Sequence, residues 1–482
     1  MQEFITTAEF ISHLILVLAL GWYLITNLQW FHYRLERVFF HHTRPLWHVI
    51  HLLVPFVLYH LTGIFFWIYF YFAYLPALFI WHRKLDKKLV LTARVKRFLG
   101  LLFGAALLQD LLCFQSGQCA QYGLLLPLIA TLIVSQASEN WLRGRFKKQA
   151  AAKLLARPNL TVLALTASYG KTSLKHFLAA ILKERFKVYA TPGNVNTDLG
   201  IAADINQNIP ADAELYIVEA GARQKGDILT ITLLAQPHYA IVGKVGPQHI
   251  EYFKTLENIQ ATKRELLVSP RLKRGVVHES SGVKPNDEVV ILKDEQIQNV
   301  QATLEGTEWD LNLGDHTVHL KTPVLGSFNA LNLSLAFLMA RELGMEEDAI
   351  VQAIGRLEPV AHRLQPIKTL HKFILDDSYN GNLEGMLAAI DLAATWQGRK
   401  VIVTPGLVES DEASNIALAN RINEVFDMAL ITGKLNADLL AHHIDHGKRK
   451  RVFDKRGLEA MLGIETQTGD LILFANDAPS FV

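Results

Sequence analysis

The chain has 482 residues, half of them hydrophobic and a fifth charged, with a formal charge of +2 and a mean hydropathy above zero. This balance excludes a disordered or collagen-like chain, and two cysteines exclude a disulfide-stapled miniprotein. The length suits roughly three domains of about 150 residues, and the hydropathy argues against a wholly soluble enzyme.

The apolar residues are concentrated before residue 140. Residues 10–30 are long and apolar enough to cross a hydrocarbon core of about 30 Å, which takes roughly 20 helical residues. The run 48–81 suits two shorter helices turning near Thr62 and Gly63, and 98–112 and 122–135 suit two more, so about five spans are predicted. The connections alternate in basic charge. The stretch before Phe10, the turn near Thr62 and the loop 116–121 carry no Lys or Arg, whereas the other three are basic: Arg34, Arg37 and Arg44, then seven basic residues from Arg83 to Arg97, then Arg143, Arg145, Lys147 and Lys148. Because cytoplasmic loops collect Lys and Arg, this predicts a multi-pass membrane protein, N-terminus outside and everything after Ser135 on the cytoplasmic face; the resemblance given below implies that the membrane is a bacterial inner membrane. The opening residues lack the basic start and small-residue cleavage site of a signal peptide. His41, His42, His48, His51 and His60 could serve as a proton relay or metal site, or simply as amphipathic side chains at the membrane interface. Cys113 and Cys119 flank the predicted outer loop, either paired in an oxidising compartment or as two small apolar residues.

After Lys153 short β-branched runs alternate with helical stretches, the pattern of a mainly parallel α/β sheet. Strands predicted at 160–166, 215–218 and 239–242 each end in polar chemistry. The first leads into Ala167-Ser168-Tyr169-Gly170-Lys171-Thr172-Ser173 and a helix reaching about Arg185. A tight loop opening a helix can wrap phosphates with backbone N–H groups, with Lys171 adding charge and the Thr172 hydroxyl a Mg²⁺ ligand. Leu165 stands where the general phosphate-loop pattern requires glycine, so Gly-Lys-Thr alone is a weak signal. The second strand ends at Glu219 and the third leads to Gly246-Pro247-Gln248-His249. Ligands of open parallel sheets sit beyond the carboxyl ends of the strands, where a carboxylate and an imidazole suit Mg²⁺–phosphate. The bland alternatives are a solvated strand end and a helix cap. A second α/β unit is predicted from Gly326, with a helix at 330–343 and strands at 373–375, 400–404, 428–431 and 471–474. No Gly-x-Gly-x-x-Gly follows any strand, which disfavours a dinucleotide. Asp376 to Asn382 is dense in polar groups, as a turn or as a site. The basic run 448–451 suits a solvated face or, beside a membrane, anionic lipid.

In this order the residues resemble the Mur ligase family, in its MurF branch, across about residues 158–470. The loop 166–173 is similar to the family's Thr-Gly-x-x-Gly-Lys-Thr, and Thr191-Pro192-Gly193-Asn194-Val195-Asn196 resembles its substrate loop. Glu219-Ala220-Gly221-Ala222 and Val245 to His249 look like its two metal-ligand segments. Lys263 falls where the family has a lysine carbamylated by CO₂ to an anionic Mg²⁺ ligand, Asn329 where an asparagine contacts nucleotide, and Arg363 where an arginine reaches the phosphates from the C-terminal domain. Asp376-Asp377-Ser378-Tyr379-Asn380 is the most discriminating motif of the branch.

The apolar runs predict about five transmembrane helices (1–145), and the resemblance implies a P-loop-type parallel-sheet ATPase domain (150–325) and a Rossmann-like α/β domain (326–482) after them. It implies ATP and Mg²⁺ as cofactors, Lys171, Lys263, His249 and Arg363 as catalytic residues, and Thr172, Glu219, His249 and Lys263 around the metal. ATP would contact Ala167 to Ser173, Asn329, Arg363 and Asp377; the acceptor would contact Asn194, Asn196, Tyr379 and Asn380. The implied reaction phosphorylates the carboxylate of UDP-N-acetylmuramoyl-tripeptide and joins it to D-alanyl-D-alanine. Expected partners are these small molecules, the lipid bilayer and membrane proteins of cell-wall synthesis, with no nucleic acid. Three departures stand out. Ala167 replaces the loop's first glycine, Phe474-Ala475-Asn476-Asp477 replaces Lys-Gly-Ser-Arg, and helices occupy the place of the domain that grips the UDP-sugar. Two other readings are a membrane-attached ligase of the poly-γ-glutamate synthase kind and a non-catalytic nucleotide-binding scaffold.

Overall fold

The structure is a computed structural model that describes residues 2–31, 33–40, 45–85, 88–116, 123–247, 250–379, 381–408, 410–452 and 457–476. Its contacts divide the chain into two compact units, Met1–Arg145 and Phe146–Val482.

The first unit is helical. Long helices cover Gln2–Trp30, Ala93–Ser116 and Leu125–Leu155. A run of shorter helical segments fills 46–83. The core of this unit is apolar and aromatic, with Tyr23, Phe66, Phe70, Tyr74 and Phe98 buried. About five spans were expected; among the described residues only Ala8–Trp30 and Gly63–Arg83 are long and apolar enough to cross a membrane, with Leu46–Leu61 a shorter apolar stretch. The Ala93–Ser116 helix is diluted by Arg94, Lys96, Arg97, Gln109 and Asp110, and Leu125–Leu155 turns basic over its second half. His41, His42 and Cys119 lie outside the described residues, so neither the histidine pattern nor the cysteine pairing is seen in full.

The second unit holds two six-stranded sheets and a small third one. In the first, β1 (Thr161–Thr166), β2 (Val188–Ala190), β3 (Leu215–Glu219), β4 (Tyr239–Val242), β5 (Arg274–His278) and β6 (Val289–Leu292) are parallel in the order β2-β3-β1-β4-β5-β6. Strands β1, β3 and β4 are adjacent, so their carboxyl ends open side by side. They read as near-continuous apolar runs because helices cover both faces. The antiparallel sheet of β7 (Ile297–Thr303), β8 (Gly306–Asn312) and β9 (Thr317–Thr322) follows. The last sheet has β10 (Gln365–Lys368), β11 (Phe373–Asp377), β12 (Lys400–Thr404), β13 (Met428–Thr432), β14 (Arg449–Val452) and β15 (Leu471–Ala475) in the order β10-β11-β15-β12-β13-β14. All are parallel except the β10 edge.

The helix expected to open the second α/β half is Phe328–Glu342, and it packs with the first half. Its Leu333, Leu335, Phe337 and Met339 join Leu174, Phe177 and Ile181, together with Val276 and Trp309, in one core. That helix is buried nearly all round, so its apolar pattern does not identify which sheet it covers.

Candidate functional site

The phosphate-type loop leaves the buried end of β1 and turns into the Lys171–Leu182 helix at Gly170, whose φ of +72° suits glycine. A Cβ at Gly170 would also stand 2.7 Å from the Asn332 amide, on the Phe328–Glu342 helix. Ser168 ties the loop to the segment after β4: its N–H donates to the Lys244 carbonyl (2.8 Å), and its hydroxyl accepts from the Gly246 N–H (3.1 Å). Ala167 raised the question of crowding. Its methyl faces Gly243, where an added Cβ would approach to 3.0 Å, so glycine at 243 makes the room.

Lys171 folds back on its own loop, its Nζ donating to the carbonyls of Ala167 (2.9 Å) and Ser168 (3.2 Å). Burial pushes its ammonium down to about 8; Glu219 opposes that shift and Arg363 adds to it. Glu219 is the hub. Its Oε1 accepts from the Thr172 hydroxyl and the Asn196 amide, each at 3.2 Å, and its Oε2 lies 3.0 Å from the Lys175 ammonium. Lys175 and Glu219 are each 1% exposed, and Lys175 also donates to the Gly193 carbonyl at 2.6 Å. Sequence reasoning missed Lys175, although it stands one helical turn after Lys171 on the same face.

Lys263 is buried behind the loop, 3.3 Å from the Thr166 hydroxyl, which itself donates to the Ala220 carbonyl. Burial, reinforced by Lys171, holds its ammonium well below the usual lysine range. From the other half comes Arg363, whose Nη1 donates to the Tyr379 carbonyl at 2.7 Å. The turn carrying it is fastened to the end of β11, because His362 Nδ1 lies 2.7 Å from Asp376 Oδ2 and the Leu364 N–H donates to Asp377 Oδ1 at 3.0 Å. The cost of burial lowers the Arg363 guanidinium, with Asp377, Glu219 and Tyr379 working against it.

These elements enclose a cleft of about 630 Å³. Of the sequence candidates it is lined by Ser168, Tyr169, Gly170, Lys171, Thr172, Asn194, Asn196, Glu219, Arg363 and Tyr379, by Gly381 and Asn382 of the polar segment 376–382, and also by Val408 and Asn476, which sequence reading did not select as site residues. Ser173, Asn332, Arg363 and Asp377 line an adjoining smaller pocket. Asn329 is buried beside it, its amide donating to the Leu325 carbonyl (2.7 Å) and its Oδ1 accepting from Asn332. Ala167 is buried under the loop. His249 and Asn380 lie outside the described residues. In the wall of the smaller pocket the Lys244 ammonium meets Glu384 at 2.6 Å. A hydroxyl and a carboxylate from Thr172 and Glu219 form an all-oxygen donor set, which fits a hard divalent cation.

Residues 165–340 match the Mur ligase middle domain. The UDP-N-acetylmuramoyl-tripeptide–D-alanyl-D-alanine ligase of Escherichia coli strain K12 is 29% identical over 292 residues, covering 57% of this chain and 64% of that protein. The chain therefore spans less than two thirds of that relative. The Bacillus subtilis strain 168 ligase of the same name is 26% identical over 68% of this chain and 75% of its own length. Among solved structures, MurF from Thermotoga maritima in complex with ADP superposes with a TM-score of 0.60 at 24% identity, over 70% of this chain and 80% of that one. MurF from Acinetobacter baumannii gives 0.60 at 21%, over 70% and 77%; at these identities the structures bear on the fold alone. The similarity of this chain to the Mur ligases is thus anchored in residues 165–340, the part that matches the middle domain.

Proposed function

We propose that this protein is an ATP-dependent amide ligase that adds D-alanyl-D-alanine to UDP-N-acetylmuramoyl-tripeptide, the reaction named for its relatives. The observation that carries the reading is the cleft itself. One opening gathers a phosphate loop with Lys171 and Thr172, the Asn194–Asn196 loop, and Arg363 with Tyr379 from the opposite half. In this reading residues 150–325 form the ATP-binding domain and 326–482 the C-terminal domain.

In the first step an oxygen of the acceptor carboxylate attacks the γ-phosphorus and ADP leaves. The amine of the dipeptide then attacks the acyl carbon, phosphate departs, and the amine gives up a proton. Charge grows on the transferring phosphoryl oxygens, and fixed donors aimed at that charge lower the barrier. The loop N–H groups at the helix start, the Lys171 ammonium and the Arg363 guanidinium supply them. Asn194 and Asn196 would orient the acceptor, and Tyr379 and Asn380 the incoming dipeptide. Thr172 and Glu219, with His249 and a carbamylated Lys263, would hold Mg²⁺, which would supply further positive charge. A depressed lysine is a fitting carbamylation site, because only the neutral amine adds to CO₂. Closure over the cleft keeps water from hydrolysing the acyl phosphate.

The helical unit is read as a membrane attachment, supported by its two apolar helices and the alternation of basic connections. In this reading the ligase works on the cytoplasmic face of the inner membrane, beside membrane proteins of cell-wall synthesis. The test is ADP formation by the purified full-length protein with Mg²⁺, the UDP-linked tripeptide and D-alanyl-D-alanine. Turnover that needs both substrates and disappears in Lys171→Ala is expected. Turnover indifferent to the dipeptide would refute the assignment.

A further inference from the structure

The helical unit contains a cleft of about 310 Å³ whose wall changes character along its length. Leu28, Phe98 and Leu132 form an apolar part, and Arg34, Arg94 and Gln136 a polar one. The Arg94 guanidinium is stacked 3.6 Å over the centre of the Tyr33 ring. Stacking holds the planar fork in place and leaves its N–H groups available for a bidentate anion. Arg97 and Arg143 lie close enough to Arg94 to repel it. Against these guanidiniums stand Glu36, in the cleft wall, and Glu139, which is bonded by Arg97 at 3.0 Å from Nε. Four arginines thus meet two carboxylates, and among the described residues no carboxylate hydrogen-bonds Arg34 or Arg94. Arg94 is half-buried and Arg34 exposed, and like charges gathered around one cleft raise its positive potential and attract an anion.

We propose that this cleft binds the phosphate headgroup of an anionic amphiphile, with the first part of its apolar tail along Leu28, Phe98 and Leu132. Basic pockets between apolar helices at a cytoplasmic boundary suit such headgroups. A bare phosphate would leave the apolar wall unused, and a neutral headgroup would leave the arginines uncompensated. The shared chemistry, a phosphate ester on an apolar chain, has two sources: a glycerophospholipid of the bilayer, or a polyprenyl phosphate. Binding there would give the helices a recognition role beyond attachment.

The test uses full-length protein in a neutral detergent and a fluorescent dioctanoyl phosphatidylglycerol, with four unlabelled competitors: dioctanoyl phosphatidylglycerol, a short polyprenyl phosphate, dioctanoyl phosphatidylcholine and inorganic phosphate. The anionic amphiphiles should compete at least about tenfold better than phosphatidylcholine, and Arg34→Gln with Arg94→Gln should weaken binding by about tenfold while ATP turnover is unchanged. The stronger of the two anionic competitors identifies the source. Should the double variant fail to fold, the exposed Arg34→Gln alone should weaken binding about threefold. Equal competition by phosphatidylcholine or by inorganic phosphate, or full affinity in the folded variants, would overturn the proposal. The short-chain probes need no bilayer, so membrane fractionation of the native protein tests the attachment reading separately.

Discussion

Under the proposed function, Lys171 is the residue that meets a nucleotide phosphate. Its ammonium is buried on carbonyl oxygens and lowered to about 8, and nucleotide phosphates would raise it again. The sign follows: near pH 6 the lysine is protonated both free and bound, whereas between pH 8 and 9 much of the free form is neutral. Nucleotide binding should therefore take up protons near pH 8.5 and not near pH 6, and affinity should fall as pH rises through 8. Calorimetry in two buffers of different ionisation enthalpy measures this, and equal proton uptake at both values would contradict it. Lys175 is the second residue-scale test. Removing it in Lys175→Met leaves Glu219 buried without its ion partner, which should cost about 3–5 kcal/mol. A thermal midpoint within 2 °C of the parent, against an expected drop of at least about 5 °C, would show that the pair does not hold the site. Gly170-Lys171-Thr172 was legible because loop chemistry is local in sequence. Lys175 was not, because a lysine on a helix reads as a solvated face until its burial is known.

Among the elements, the turn from β1 into the Lys171–Leu182 helix has the least freedom. Gly170→Ala would put a side chain at φ +72° and within 2.7 Å of Asn332, so it should cost at least about 1–2 kcal/mol and weaken nucleotide binding together with stability. Denaturant melts and nucleotide titration of the variant check both; unchanged values would mean the loop tolerates another path. Strands β1, β3, β4, β11, β12, β13 and β15 were visible as buried, largely apolar runs. Strand β2 has only three half-buried residues, and β7 is mostly exposed, so neither offers an apolar run. The β8 strand alternates strictly, burying Thr307, Trp309 and Leu311, yet a two-faced strand of that kind says nothing about which helix covers it. The Phe328–Glu342 helix shows the same limit, since its partner in the core lies more than 140 residues earlier at Leu174 and Phe177.

At the scale of the whole chain, apolar composition separates a helical unit from an α/β unit, and the contacts divide at Arg145 and Phe146. The number of spans was less legible than this division. Charged residues in Ala93–Ser116 and Leu125–Leu155 interrupt apolar runs that look continuous when only their centres are read. The departures at Ala167 and Asn476 are also resolved only in three dimensions. Gly243 accommodates the first; Asn476 donates to the Gly406 carbonyl at 2.8 Å and lines the cleft. The central claim is that this cleft makes an amide through an acyl phosphate, and oxygen tracing tests it most directly. UDP-N-acetylmuramoyl-tripeptide labelled with ¹⁸O in its terminal carboxylate is incubated with the full-length protein, ATP, Mg²⁺ and D-alanyl-D-alanine, and both products are weighed by mass spectrometry. The account predicts the pentapeptide product with one ¹⁸O transferred to phosphate for each amide formed. Unlabelled phosphate, or labelled phosphate without the amide, would contradict it.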